Sequence, residues 1–328
     1  MTAQLAWVFR MAPMVVMLAF AWLSGGCVGV SPLSRVPRFS ASIQRATIQV
    51  GERSRSYLYY VPQSLPSNAP MVFVLHGSTQ TPQQMQVSTG YEFERLADQH
   101  GFLVVYPAGY RKHWNDCRKA APYAARRRDI DDKGFVSALV EHFRSTRGVD
   151  PKRVFAMGYS NGGHLAYRLA LEMPERIAAI AAVAANLPAD ENCDCVKSNR
   201  PVPVLILNGT RDPINPYNGG IVRLFGFANR GRVISARASA EYFARLNGHY
   251  SEPRVTMRGD RLPVELTSWQ DPGRPEVVLA TIQGGGHVVP QPRYSAPPFL
   301  GRTTHAVNGP EEIWEFFARQ RPLPLPER

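Results

Sequence analysis

With 328 residues, 44% of them hydrophobic and 20% charged, the chain has the make-up of an ordinary globular protein that can bury a sizeable core. Its formal net charge of +12 would suit an anionic partner, but the basic residues are scattered, and the one dense cluster, Arg126-Arg127-Arg128, follows small residues expected to form an exposed loop. No motif or aromatic interleaving accompanies the charge, so nucleic acid is not an expected partner, and attraction to an anionic envelope or polymer is at most a secondary effect.

At the N-terminus, Arg10 precedes an apolar run from Met11 to Leu23 and the small residues Ser24-Gly25-Gly26-Cys27, which reads as an export signal over 1–27. The run is shorter than the roughly 20 residues of a membrane span. The expected location is therefore secreted, periplasmic or anchored to the cell envelope. Cys27 after two glycines also resembles a bacterial lipoprotein cleavage site, although Ser24 stands where that pattern usually has leucine; lipidation and plain cleavage both stay open. A linker is expected over 28–44 and a single domain over 45–328.

In that domain, Thr47–Val50 and Tyr57–Val61 read as an opening hairpin about Gly51, of the kind that often edges a parallel sheet. Met71–Leu75 is a buried strand, Tyr91–His100 a helix ended by Gly101, and Phe102–Tyr106 another strand. The alternation continues with a helix near Lys133–Arg147, a strand at Val154–Met157, a helix over Gly162–Met173 stopped by Pro174, and strands near Ile177–Val183 and Val204–Leu207. Helices near Ala236–Leu246 and Pro310–Arg319 flank the strand Val277–Ile282, and Pro310 suits a first helical position. The implied class is α/β: a mostly parallel sheet with an N-terminal antiparallel hairpin and helices on both faces.

The run Gly158-Tyr159-Ser160-Asn161-Gly162 sits between the strand ending at Met157 and the following helix, so Ser160 lies on a sharp strand-to-helix turn. A serine there projects its hydroxyl beside a helix N-terminus that favours developing negative charge, the requirement of a nucleophile in acyl transfer. The plainer reading is a serine that caps the helix. A serine nucleophile needs a base and an orienting carboxylate, which in this arrangement follow in the order Ser, Asp or Glu, His. Asp212, just after the buried strand Val204–Leu207, lies at the sheet edge where such sites form, whereas Asp190, Asp194, Asp260 and Asp271 fall in polar loops or hairpin-like stretches. His287 follows the last strand and three glycines, while His249 and His305 read as surface positions. The backbone amides of Asn161 and of Ser78, with Thr79 as the neighbouring alternative, are the expected oxyanion donors; His76 is expected to be structural.

Cys117, Cys193 and Cys195 allow one disulfide and leave one thiol. One-residue spacing strains a bridge between the last two, so Cys117 is expected to pair with either of them. No histidine stands at ligand spacing from Cys193 and Cys195, so neither metal nor cofactor is expected.

In this order the motifs resemble the polyhydroxybutyrate depolymerase and feruloyl esterase-like family of secreted α/β-hydrolases, related to carbohydrate esterase family one. The resemblance rests on Leu75-His76-Gly77, Tyr106 to Gly109 with Trp114-Asn115, Asp131-Asp132 with Gly134-Phe135, Gly158 to Gly163, Asn208-Gly209 with Asp212, Pro216-Tyr217, Gly284 to His287, and Ile313-Trp314 with Phe316-Phe317. It implies the α/β-hydrolase fold and a triad of Ser160, Asp212 and His287; Trp114 and Tyr217 are the expected substrate contacts, with packing under a loop an equal alternative for Trp114. Asp131 and Asp132 read as helix caps or loop anchors, and Trp314, Phe316 and Phe317 as core. One departure is His287-Val288-Val289-Pro290 where members commonly carry His-Thr-Trp-Pro, so an aromatic wall of the substrate cleft is expected to be missing. The implied activity is carboxylic-ester hydrolysis through an acyl-enzyme, on hydroxybutyrate-type oligoesters or feruloyl, acetyl and other short-acyl esters. The lack of a threonine-rich linker or binding module favours soluble substrates over crystalline polymer. The competing class is a surface-anchored binding protein of the same fold that has lost catalysis.

Overall fold

The computed structural model describes residues 36–320 apart from 225, 260 and 261, so the expected export signal and Cys27 lie outside the described residues. Of the expected linker, the part from Val36 onward is tied to the domain: Ser40 donates from its backbone to Asp98 at 2.9 Å, and Phe39 packs on Tyr60 at 5.8 Å.

β1 (Gln44–Val50) and β2 (Arg53–Tyr60) form the expected hairpin around Gly51. They are followed by β3 (Met71–Leu75), α1 (Pro82–Ser88), α2 (Glu92–His100), β4 (Leu103–Pro107), α3 (Ala124–Arg127) and α4 (Asp132–Arg147). Next come β5 (Val154–Tyr159), α5 (Asn161–Glu172), β6 (Ala179–Val183), β7 (Val204–Gly209), β8 (Gly220–Leu224) and β9 (Ala228–Val233). The described residues finish with α6 (Ala236–Leu246), β10 (Arg254–Arg258), β11 (Val264–Trp269), β12 (Val277–Ile282) and α7 (Gly309–Ala318). Ten strands form one sheet in the order β1-β2-β4-β3-β5-β6-β7-β12-β11-β10, parallel from β4 to β12 and antiparallel at both edges. β8 and β9 make a separate antiparallel ribbon.

Successive strand residues point to opposite faces, so a strand buried on both sides reads as continuously apolar. In β3, Met71, Phe73 and Leu75 join Phe135, Leu165 and Phe243 on the side of α4, α5 and α6. Val72 and Val74 instead join Phe93, Ile313 and Phe317 on the side of α2 and α7. Trp314, stacked on Phe102 at 3.9 Å, Phe316 and Phe317 are core, as the sequence suggests. Asp131 caps α4 by accepting from Gly134 at 2.7 Å, and Asp132 is buried against Arg55 at 2.7 Å.

The small residues before the Arg126-Arg127-Arg128 cluster are not an exposed loop: Ala121 and Ala125 are buried and Ala124 opens a short helix, while Arg127 and Arg128 are exposed. Arg126 and Arg127 end the short helix α3, and Arg126 is ion-paired with Asp194. Cys117 pairs with Cys195 across Cα atoms 5.0 Å apart, leaving Cys193 as the free thiol among the described residues. The bridge closes a loop with a sequence separation of 78, long enough for the constraint on the unfolded chain to matter. Replacing both cysteines by serine should therefore lower unfolding free energy by about 2–4 kcal/mol in urea denaturation under oxidising conditions.

Glu94 on α2 is fully buried, accepts from Gln86 Nε2 at 2.7 Å, and is pushed by that burial up to about 7. The folded state therefore holds a proton that the unfolded chain, with the ordinary value of 4.5, has released. The contribution of Glu94 to stability thus falls as pH rises from 4.5 to about 7. Glu94→Gln should flatten this slope, gaining on the order of 3 kcal/mol relative to wild type between pH 4 and pH 8.

Candidate active site

β5 passes into α5 through Ser160, whose backbone sits at φ 53° and ψ −115°. The turn is tight enough that a Cβ on Gly158 would overlap the backbone of Gly162, and one on Gly162 would overlap the carbonyls of Leu75 and His76. Glycine at these positions is thus a packing requirement. The strained serine is held on both sides: its N–H donates to Val183 O at 2.8 Å, and its carbonyl accepts from His164 N at 3.0 Å.

Three sequence-predicted residues meet here. Ser160 Oγ lies 2.9 Å from His287 Nε2, and His287 Nδ1 lies 2.7 Å from Asp212 Oδ2. The other carboxylate oxygen of Asp212 accepts from the amides of Ile214 and Asn215, each at 2.8 Å, which fixes its plane toward the imidazole. His287 is itself clamped, its N–H donating to Leu300 O at 2.6 Å and its carbonyl accepting from Tyr159 Oη at 2.8 Å. An imidazole that accepts from serine at one nitrogen and donates to a carboxylate from the other has the tautomer a general base requires.

The amides of Asn161, at the first turn of α5, and of Ser78, in the loop after β3, have no hydrogen-bond acceptor among the described residues. Thr79, the alternative donor, is already committed, donating to Lys112 O at 2.9 Å. Two unpaired N–H groups beside a helix N-terminus can receive an oxyanion. His76 is structural, as expected: its Nε2 accepts from Gly109 N at 3.0 Å, and burial pushes its imidazole down to about 4.

Beneath the turn lies a buried polar network that sequence reasoning missed. The Asn161 side chain accepts from Trp114 N at 2.9 Å and donates to Asp116 Oδ2 at 2.6 Å, and Asp116 pairs with Arg118 at 2.5 Å. His164, next to it on α5, is held well below the usual imidazole range, first by burial and then by the Arg118 charge. The network ties Asn161, whose amide has no acceptor among the described residues, to the loop after β4.

Neither expected substrate contact lines the cleft. Trp114 is 1% exposed and packs under the turn, donating from Nε1 to His76 O at 2.8 Å. Tyr217 packs against the core, with its hydroxyl hydrogen-bonded to Thr281 at 2.7 Å. His249, expected on the surface, is buried between Asp271 and the carbonyl of Pro275. The cleft over Ser160 has a volume of about 260 Å³ and is walled by Val288, Val289, Tyr294 and Phe299, with Tyr123 on its polar side. Its aromatic wall therefore comes from residues beyond the His287-Val288-Val289-Pro290 segment. A larger groove of about 440 Å³ between β10–β12 and α7 contains none of these site residues. Among the described residues, no group of three or more His, Cys, Asp or Glu side chains is placed to hold a metal.

A Ser–His–Asp array with two free amides at the C-terminal edge of a mostly parallel sheet defines an α/β-hydrolase. Residues 55–214, which include Ser78, Ser160, Asn161 and Asp212, match the family described as esterase PHB depolymerase. NocK of Nocardia uniformis subsp. tsuyamanensis is 28% identical over 300 residues, covering 87% of this chain and 86% of that protein. Feruloyl esterase B of Piromyces equi is 28% identical over 224 residues, or 67% of this chain; the chain spans only 39% of that protein. The acetyl xylan esterase from Aspergillus awamori shares the fold, with a TM-score of 0.57 over 85% of this chain and 99% of that one, at 18% identity. By these matches the protein is a carboxylic-ester hydrolase.

The buried network makes one outcome specific. Asp116→Ala strands the Arg118 guanidinium, only 2% exposed, without its partner. The variant should lose about 3–5 kcal/mol of unfolding free energy by chemical denaturation.

Proposed function

We propose that the protein is an exported serine esterase that works through an acyl-enzyme, with Ser160 as nucleophile, His287 as base and Asp212 as orienting carboxylate. The observation that carries this reading is the continuous relay from Ser160 Oγ through His287 to Asp212, at 2.9 and 2.7 Å. His287 Nε2 takes the serine proton as Oγ attacks the ester carbonyl, and Asp212 stabilises the resulting imidazolium. The amides of Asn161 and Ser78 receive the oxyanion. The imidazolium then returns its proton to the departing alcohol oxygen, and a water molecule activated by the same imidazole releases the acid. Each step uses only this chain's own groups and water.

The substrates that fit are soluble oligoesters of hydroxyalkanoic acids and small feruloyl, acetyl or short-acyl esters. A cleft of about 260 Å³ with valine and aromatic walls suits such groups in size and polarity. Relatives named feruloyl esterase and poly(3-hydroxyalkanoate) depolymerase support the same range. Export rests on the charged and apolar pattern of residues 1–27, with Cys27 as the point at which a lipid would anchor the protein to the envelope.

Ser160→Ala should reduce the kcat of p-nitrophenyl butyrate hydrolysis by about 10⁴-fold or more, with an unchanged circular dichroism spectrum. Retention of most of the activity by that variant would remove Ser160 from the mechanism.

A further inference from the structure

One wall of the cleft carries charge of a single sign. Its charged lining residues, apart from His287, are Arg118 and Arg230, with no carboxylate among them. Arg118 is neutralised by Asp116 at 2.5 Å. Arg230 is different. Its Nε donates to Tyr123 Oη at 3.1 Å and its Nη1 to the Asn229 carbonyl at 3.4 Å, and no carboxylate among the described residues reaches it. Nearby arginines do have acidic partners: Arg126 has Asp194, and Arg232 has Glu191. A half-buried guanidinium left uncompensated in a cleft keeps its affinity for an anion.

The position is also built. The carbonyls of Arg230 and Arg232 on β9 both accept from the buried side chain of Asn192, at 3.2 and 3.0 Å. Asn192 in turn accepts from Ala120 N at 3.0 Å, in the stretch that follows disulfide-bonded Cys117. Tyr123 stacks on His113 at 4.4 Å and lies under the Arg230 guanidinium at 4.8 Å. Its phenol oxygen accepts from Arg230 and also from Ser78 Oγ at 2.8 Å, which leaves the phenol proton to donate into the cleft. Ser78 belongs to the loop that offers the second oxyanion amide, so the phenol stands one hydrogen bond and the cation two hydrogen bonds from a residue of that loop.

We infer that Arg230 and Tyr123 form a carboxylate subsite, and that the preferred substrates are esters carrying a free carboxylate near the scissile bond, such as short hydroxyacid oligomers with an acid terminus. The inference rests on the esterase reading of the same cleft. A carboxylate would accept from the guanidinium and the phenol together, a charge-assisted pair in a partly desolvated wall. A neutral ester of equal size offers these donors only an uncharged carbonyl oxygen and leaves the cation without a counter-charge.

The test is competition against p-nitrophenyl butyrate hydrolysis by matched probes: the 3-hydroxybutyrate dimer against its methyl ester, and monoethyl glutarate against diethyl glutarate. In wild type the free acid of at least one pair should compete about ten- to a hundredfold better than its neutral partner. That ratio should fall with added salt, collapse toward one in Arg230→Gln, and be largely kept in Arg230→Lys, which a purely structural role for Arg230 would not produce. A ratio near one for both pairs in wild type, or an unchanged ratio in Arg230→Gln, overturns the subsite. Absence of p-nitrophenyl butyrate hydrolysis in wild type would instead overturn the esterase reading on which it rests.

Discussion

The site depends on the turn that carries the chain from β5 into α5. A residue at φ 53° and ψ −115° costs of order 1–3 kcal/mol, and it persists only where its surroundings leave no alternative. Here the surroundings are the carbonyls of Leu75, His76 and Gly162, which approach so closely that only glycine fits at 158 and 162. That close approach brings the loop after β3 alongside the start of α5, and so sets the amides of Ser78 and Asn161 beside one hydroxyl. The strain and the paired donors are two consequences of the same packing.

Sheet order supplies the rest. β3, β5, β7 and β12 run parallel, so the loops leaving their C-terminal ends all emerge on one edge. Those four loops carry Ser78, Ser160, Asp212 and His287. Parallel strands need crossovers, and α4, α5 and α6 bury one face of the sheet while α2 and α7 bury the other. Beneath it, the Asn161–Asp116–Arg118 network joins α5 to the loop after β4, and the Cys117–Cys195 bridge fastens that loop to the region of Asn192 and β9. The reacting edge and the wall bearing Arg230 thus share one support.

Continuous apolar runs such as Met71–Leu75 and Val277–Ile282 make the parallel strands legible in the sequence, and the order of those strands marks Ser160, Asp212 and His287. Short polar strands carry no such signal: the β8–β9 ribbon, with its arginines and glycines, and the edge strand β10, with exposed Val255 and Met257, went unread. The sequence leaves Trp114 open between cleft and packing and suggests a surface place for His249 for a related reason, since burial of an amphipathic side chain is decided by a distant partner. For Trp114 that partner is the His76 carbonyl, and for His249 it is Asp271. Arg230 was invisible because its meaning lies in the absence of a nearby carboxylate, which only three dimensions reveal.

Reactivity at Ser160 is the claim on which the account stands, and covalent trapping reads it most directly. A fluorophosphonate is attacked only by a serine whose proton can be removed and whose developing charge is held, the two conditions this geometry supplies. Incubation with such a probe, followed by peptide mass mapping, should show a single adduct on Ser160 that forms in step with loss of esterase activity and is absent from His287→Ala. An unmodified Ser160, or an adduct on another serine with the same loss of activity, would contradict the account.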